Sequence, residues 1–144
     1  MPLIIIFLVA MLTGAYFLSE NSEASKIDSF TAENNVRVTN MLIYRNAVTL
    51  FAQANPSYTG VVPDNNLSLP TWFRKMNDIG NYVATGNTYI YAQGRSELAY
   101  ALAKKTESIA VGIKKNGALV HPSEGNTGIA IPSSVPEESV VILQ

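Results

Sequence analysis

An α+β domain with an antiparallel sheet packed against helices, carried on an N-terminal transmembrane helix, is the fold class this sequence predicts. Three observations lead there. The chain opens on an uncharged apolar run, Met1 to Leu18; apolar residues then recur with helical period from Val36 to Ala54; and the remaining length alternates as strands do around Gly- and Pro-rich turns.

The apolar run comes first. No charged side chain occurs before Glu20. At about 1.5 Å of rise per residue, Pro2 to Leu18 makes about 25 Å of helix, near the lower limit for a hydrocarbon core of about 30 Å. Residues 1–19 are therefore expected to anchor the chain through Leu3, Ile4, Ile5, Ile6, Phe7, Leu8, Val9, Leu12, Phe17 and Leu18. A cleaved secretory signal needs a basic n-region, and the only positive group ahead of the run is the α-amino terminus. Small residues suited to cleavage do occur, at Thr13/Ala15 and Ser22/Ala24. The expectation is an uncleaved single-pass anchor, with a soluble periplasmic binding module after cleavage as the alternative. A short amino-terminal tail and a long following segment favour the tail inside and the domain outside, which in a Gram-negative cell is the periplasm.

Composition excludes several classes. Ten Lys and Arg against eleven Asp and Glu leave a net charge of -1, and no basic cluster exceeds the pairs Arg74-Lys75, Lys104-Lys105 and Lys114-Lys115. A nucleic-acid footprint is not expected. The chain has no cysteine, so neither a disulfide framework nor a thiolate zinc site can form. Once the apolar start is set aside, roughly 120 residues remain, enough for one ordinary domain.

Residues 20–35 are polar, with Ile27 and Phe30 isolated among them, and are expected to be a stalk or linker. Asn34-Asn35 and the Ser-rich stretch are poor helix formers, so a break is expected there. The domain then spans 36–144. Val38, Met41, Tyr44, Val48, Phe51 and Ala52 share one helical face opposite Thr39, Asn46 and Gln53, and Pro56 ends the helix. Residues 55–70 read as a loop, and Leu69 to Met76 as a short helical turn opened by Pro70. Gly80 and Gly86 bracket Asn81 to Thr85. Asn87 to Gly94 alternates as a strand, with Thr88, Ile90 and Ala92 on one face and Tyr89 and Tyr91 on the other. Ser96 is the expected N-cap of a helix from Glu97 to about Glu107.

The clearest local signal follows. Asn116-Gly117 is a type I′ hairpin turn that sets Lys115 opposite Ala118 and Ile113 opposite Val120. Two further strands are expected, Thr127 to Ile131 and Ser139 to Leu143, the second a continuous apolar run that reads as buried. Pro122, Pro132 and Pro136 confine the connecting segments to loops or edges.

Catalytic chemistry finds no outline. There is no phosphate-binding glycine loop, no Gly-x-Ser-x-Gly elbow, no His-Glu-x-x-His helix, and His121 is the single histidine. No catalytic residue, cofactor or metal site is expected, and His121 reads as structural or solvated. The candidate partner-binding residues are Trp72, Phe73, Tyr89 and Tyr91, large aromatics outside the helical stripe of the kind that anchors protein interfaces.

The order of elements resembles that of a pilin domain. A prepilin, however, would carry a charged leader and a Gly ahead of the apolar run and a Glu early in the mature helix; here Gly14 lies late and Glu20 and Glu23 follow. Incorporation as an ordinary pilin is therefore not expected. Over essentially its whole length the chain resembles the PilM family of type IVb (thin, conjugative) pilus systems. The resemblance rests on the apolar start, Leu69-Pro70-x-Trp72-Phe73, Ile79-Gly80-Asn81-Tyr82, Glu97 to Leu102, and Val111-Gly112-Ile113 through Asn116-Gly117 to Val135-Pro136-Glu137. It implies a non-enzymatic inner-membrane component of the pilus basal body. Its partners would be other pilus-assembly proteins, with a homo-oligomer or a minor pilus subunit as further forms.

Overall fold

The computed structural model describes residues 2–144, apart from the side chains of residues 2, 3, 7, 8, 10 and 12–28. Helix α1 (Pro2–Ala54) belongs to two compact units, Met1–Glu33 and Asn34–Gln144. The break expected between residues 19 and 35 is absent: α1 is helical throughout its length. The reason lies in what the segment lacks. No Gly or Pro occurs between Gly14 and Pro56, and the weak propensities of Ser and Asn cost only tenths of a kcal/mol each.

In the first unit, Ile4, Ile5, Ile6, Val9 and Met11 are exposed. Among the described residues no helix is long and apolar enough to cross a membrane. The other expected anchor side chains, Leu3, Phe7, Leu8, Leu12, Phe17 and Leu18, lie outside the described residues.

The second unit is an α+β domain. Strands β1 (Gly80–Ala84), β2 (Asn87–Ala92), β3 (Val111–Lys115), β4 (Ala118–His121), β5 (Gly125–Ala130) and β6 (Val140–Leu143) form one sheet in the order β1-β2-β6-β3-β4-β5, every neighbouring pair antiparallel. The last strand slots between β2 and β3, which are joined through α2 (Ser96–Thr106). That central position explains why Val140, Val141 and Ile142 are all buried: each face of β6 meets a packed layer.

One face of the sheet carries the main core. Val83, Ile90, Ala92, Val111, Val140 and Ile142 pack against Val38, Met41, Tyr44 and Val48 of α1 and Leu98, Ala99 and Leu102 of α2. Each large apolar side chain so buried contributes about 1.5–3 kcal/mol, far more than the helix propensities of Val and Tyr cost. The opposite face holds a smaller cluster of Tyr89, Leu119, Ile131, Val135 and Val141. The alternation read from β2 and the expected α1 face are both present.

Local chemistry sets the hairpins. Asn116 (φ 51°) and Gly117 (φ 76°) form the primed turn, and β3 and β4 take the register Ile113↔Val120 and Lys115↔Ala118. A second tight turn, Thr85 (φ 44°) and Gly86 (φ 85°), joins β1 to β2. The expected helical turn over 69–76 is a single tight turn, Phe73 N–H donating to Pro70 C=O at 2.9 Å, followed by irregular chain. Helix does not continue there because Asn40 of α1 takes over the backbone: its amide donates to Arg74 C=O at 2.8 Å and accepts from Met76 N–H at 3.2 Å. Ser96 is the first residue of α2 rather than its cap; Arg95 holds the cap position without a side-chain bond.

Candidate partner-binding surface

The four aromatics singled out from the sequence fall on two separate surfaces. Phe73 is buried in the core beneath α1, and Trp72 beside it is 69% exposed, the two rings edge to face at 6.4 Å. Tyr89 and Tyr91 lie on the opposite sheet face, Tyr89 buried and Tyr91 laid over Gly80, where a side chain would collide with the ring. The structure thus joins Trp72 with Phe73 and Tyr89 with Tyr91, but not one pair with the other.

Trp72 overhangs a groove of about 350 Å³ lined by Asn35, Val36, Thr39, Asn40 and Ile43 of α1 together with Phe73 and Arg74. Its walls are apolar or bear amide and hydroxyl groups, with Arg74 the one charged side chain among the lining residues. Arg74 donates to its own loop at Thr71 C=O and Phe73 C=O. A largely apolar groove rimmed by an exposed indole is suited to another protein's apolar side chains.

The loop that carries Trp72 is held by a polar network the sequence did not reveal. Arg37 of α1 pairs with Asp78 and donates to Gln93 C=O. Deeper in, Asn81 donates to Tyr44 Oη at 2.6 Å and to Val62 C=O at 2.9 Å, and accepts from Val62 N–H at 2.8 Å. Tyr44 in turn donates to Asp64 at 2.6 Å, and Lys75 pairs with the other Asp64 oxygen at 2.8 Å. Burial and the Asp64 hydrogen bond raise the Tyr44 phenol above its ordinary range. Burial acts to raise the Asp64 carboxyl too, but Lys75 and the Tyr44 hydroxyl together outweigh it and hold it below the usual carboxylate range. Asn81 was legible only as a polar residue between Gly80 and Gly86; its place in β1 and its burial are what the sequence did not supply.

On the other face, Lys114 is 3% exposed, its ammonium donating to Val135 C=O at 2.7 Å and Pro132 C=O at 3.0 Å and pairing with Glu137 at 3.1 Å. This clamps the β5–β6 connection over the sheet. His121 sits at the end of β4, where Nδ1 accepts from Ser123 N–H and Glu124 N–H, both at 3.1 Å. The proton therefore resides on Nε2, and the ring closes a turn. A second open cleft, about 450 Å³, lies beside it against Tyr100, Lys104 and Ile109. Among the described residues no group of His, Cys, Asp and Glu is arranged to hold a metal ion.

These features define a class: an α+β domain in which the second part of a long N-terminal helix packs across an antiparallel sheet of six strands whose C-terminal strand is central. The chain belongs to the PilM family, whose model matches residues 6–143. A solved PilM protein from Pseudomonas aeruginosa 2192 is 36% identical, superposes with a TM-score of 0.51, and aligns over 78% of this chain and 95% of that one. A solved PilM protein from Escherichia coli B7A has the same fold at 19% identity, TM-score 0.60, over 79% of this chain and 93% of that one. No curated protein sequence matches. The family assignment makes this a pilus-related protein with partners in a pilus system.

Proposed function

We propose that this chain is a non-enzymatic component of a type IVb pilus assembly machine of the conjugative kind. In this reading residues 1–19 hold it in the bacterial inner membrane as a single-pass anchor, and a pilin-like domain over 36–144 binds other pilus proteins in the periplasm. The observation that carries the reading is the apolar start of α1. Its described members Ile4, Ile5, Ile6, Val9 and Met11 are exposed, whereas Val38, Met41, Tyr44 and Val48 of the same helix are buried in the domain. A run of exposed apolar residues without a charge to break it needs an apolar surrounding. The largely apolar groove under Trp72 supports a binding role for the domain.

Carbonate extraction of native membranes with intact-mass measurement tests it. Retention of the full-length chain in the membrane pellet, with piliation lost on deletion of the gene, is the expected result. A product shortened near Ala15 or Ala24 and released into the periplasm overturns the tether. Recovery in sheared filaments instead assigns the chain to the pilus itself.

A further inference from the structure

Charge is unevenly shared on the side of the domain that carries Trp72. Between Asn34 and Asp78 the chain has four cations, Arg37, Arg45, Arg74 and Lys75, but only two carboxylates, Asp64 and Asp78. Both carboxylates are taken: Asp78 pairs with Arg37, and Asp64 with Lys75. Among the described residues, Arg45 and Arg74 are left without a carboxylate at ion-pair distance.

Neutral acceptors alone hold these two guanidiniums. Arg74 donates to Thr71 C=O and Phe73 C=O of its own loop. Arg45 donates through Nη2 to the side-chain oxygen of exposed Asn46 at 3.2 Å, while its buried Nε has no partner among the described residues. A half-buried guanidinium without an anion is poorly compensated, and a carboxylate, which its planar fork meets bidentately, is the group that compensates it best.

The two cations flank the groove under Trp72. Arg74 lines it beside Phe73, and Ile43 lines it from α1. Asn46, which holds the Arg45 guanidinium, is the next exposed position, one helical turn beyond Ile43.

We propose that this groove receives an acidic, amphipathic segment of another pilus protein, a chemistry that rests on the groove being a protein-binding surface. An apolar side chain of the segment lodges under Trp72, and its carboxylates meet Arg74 and Arg45. Charge complementarity selects this occupant. An apolar segment without acids would fill the groove yet leave both guanidiniums uncompensated, and a basic one would be repelled. A second copy presenting the same side would add two more cations to the interface. Two isolated cations beside an apolar groove do not make the continuous basic track that a phosphate backbone requires.

Photocrosslinking in piliated cells tests it. The full-length chain carries a benzophenone amino acid in place of exposed Thr39, which lines the groove, and the captured peptide is sequenced by mass spectrometry. The expected capture is a segment of a different protein with Asp or Glu within one helical turn of the crosslinked apolar residue. Arg74→Glu and Arg45→Glu are each expected to lower the yield at least about tenfold, with the circular dichroism of the fold retained. Arg74→Lys, which keeps the charge, and Lys105→Glu, an equal charge change at an exposed position of α2, leave it within about twofold. Exchanging the captured Asp or Glu for Lys restores the yield of the Arg74→Glu chain. Capture of a segment without acids, or a yield indifferent to both Glu variants, overturns the acidic occupant and leaves the groove as a protein-binding surface. Capture of a second copy, of lipid, or of nothing by the folded chain overturns both.

Discussion

Replacing Asn81 by Leu tests the polar network that holds the Trp72-bearing side of the domain. Asn81 is 2% exposed, and Leu matches its bulk, so packing changes little. What changes is the backbone of buried Val62, whose N–H loses its acceptor at 2.8 Å and whose C=O loses its donor at 2.9 Å. Tyr44 Oη also loses the amide at 2.6 Å but keeps its bond to Asp64. Each buried group left unpaired costs about 1–3 kcal/mol, so the two from Val62 give about 4 kcal/mol, of which the apolar gain of Leu returns about 1. For a domain of this size a net loss of about 3 kcal/mol lowers the melting temperature by about 10 °C. The assay is thermal unfolding of the full chain followed by circular dichroism, with exposed Asn65→Leu as the control. A variant that melts within about 2 °C of the parent refutes the reasoning, because water or backbone movement would then be satisfying Val62.

The remaining predictions concern other parts of the same fold. Gly112→Ala would place a methyl group 2.2 Å from Val120 C=O, so β3 and β4 cannot keep their spacing; loss of soluble folded protein is expected, visible as failure to accumulate in cells. Lys114→Met removes the donor to Pro132 and Val135, and is expected to cost about 2 kcal/mol and raise hydrogen exchange across residues 131–139 selectively. Because Asp64 titrates below its unfolded value, its contribution is complete at neutral pH and is lost as pH falls through that depressed value. Asp64→Asn is therefore expected to lower the melting temperature at neutral pH and to flatten the acid limb of a stability-versus-pH series.

How much of this was legible in the sequence varies with the physics of each element. The Asn116-Gly117 hairpin and the inward face of α1 were readable because turn chemistry and the helical repeat are local. The Thr85-Gly86 turn was not, since Thr at positive φ is held there by the ladder on either side rather than by its own preference. Nor was the central place of β6, which pairs with β2 and β3 across long stretches of sequence, Tyr89 with Leu143 and Val111 with Ile142. The continuity of α1 through 19–35 went the other way: propensity argued for a break, and the absence of Gly and Pro decided against it. For the candidate site, the aromatics stood out one by one, but alternation could not say that Trp72 and Tyr91 lie on different faces. Asn81 and Lys114 were invisible as buried residues because a polar side chain advertises exposure until its partners, Val62 and the 132–135 loop, are known.

The central proposal is that α1 begins as a membrane tether for a domain that works by binding. Exchanging residues 2–18 for an unrelated transmembrane helix, and separately for a cleavable export signal, tests it most directly when pili are counted by electron microscopy. Piliation restored by the foreign anchor and lost with the cleaved, soluble form is the predicted result. Normal piliation from the soluble form, or none from the foreign anchor despite a folded, membrane-held domain, would contradict the account.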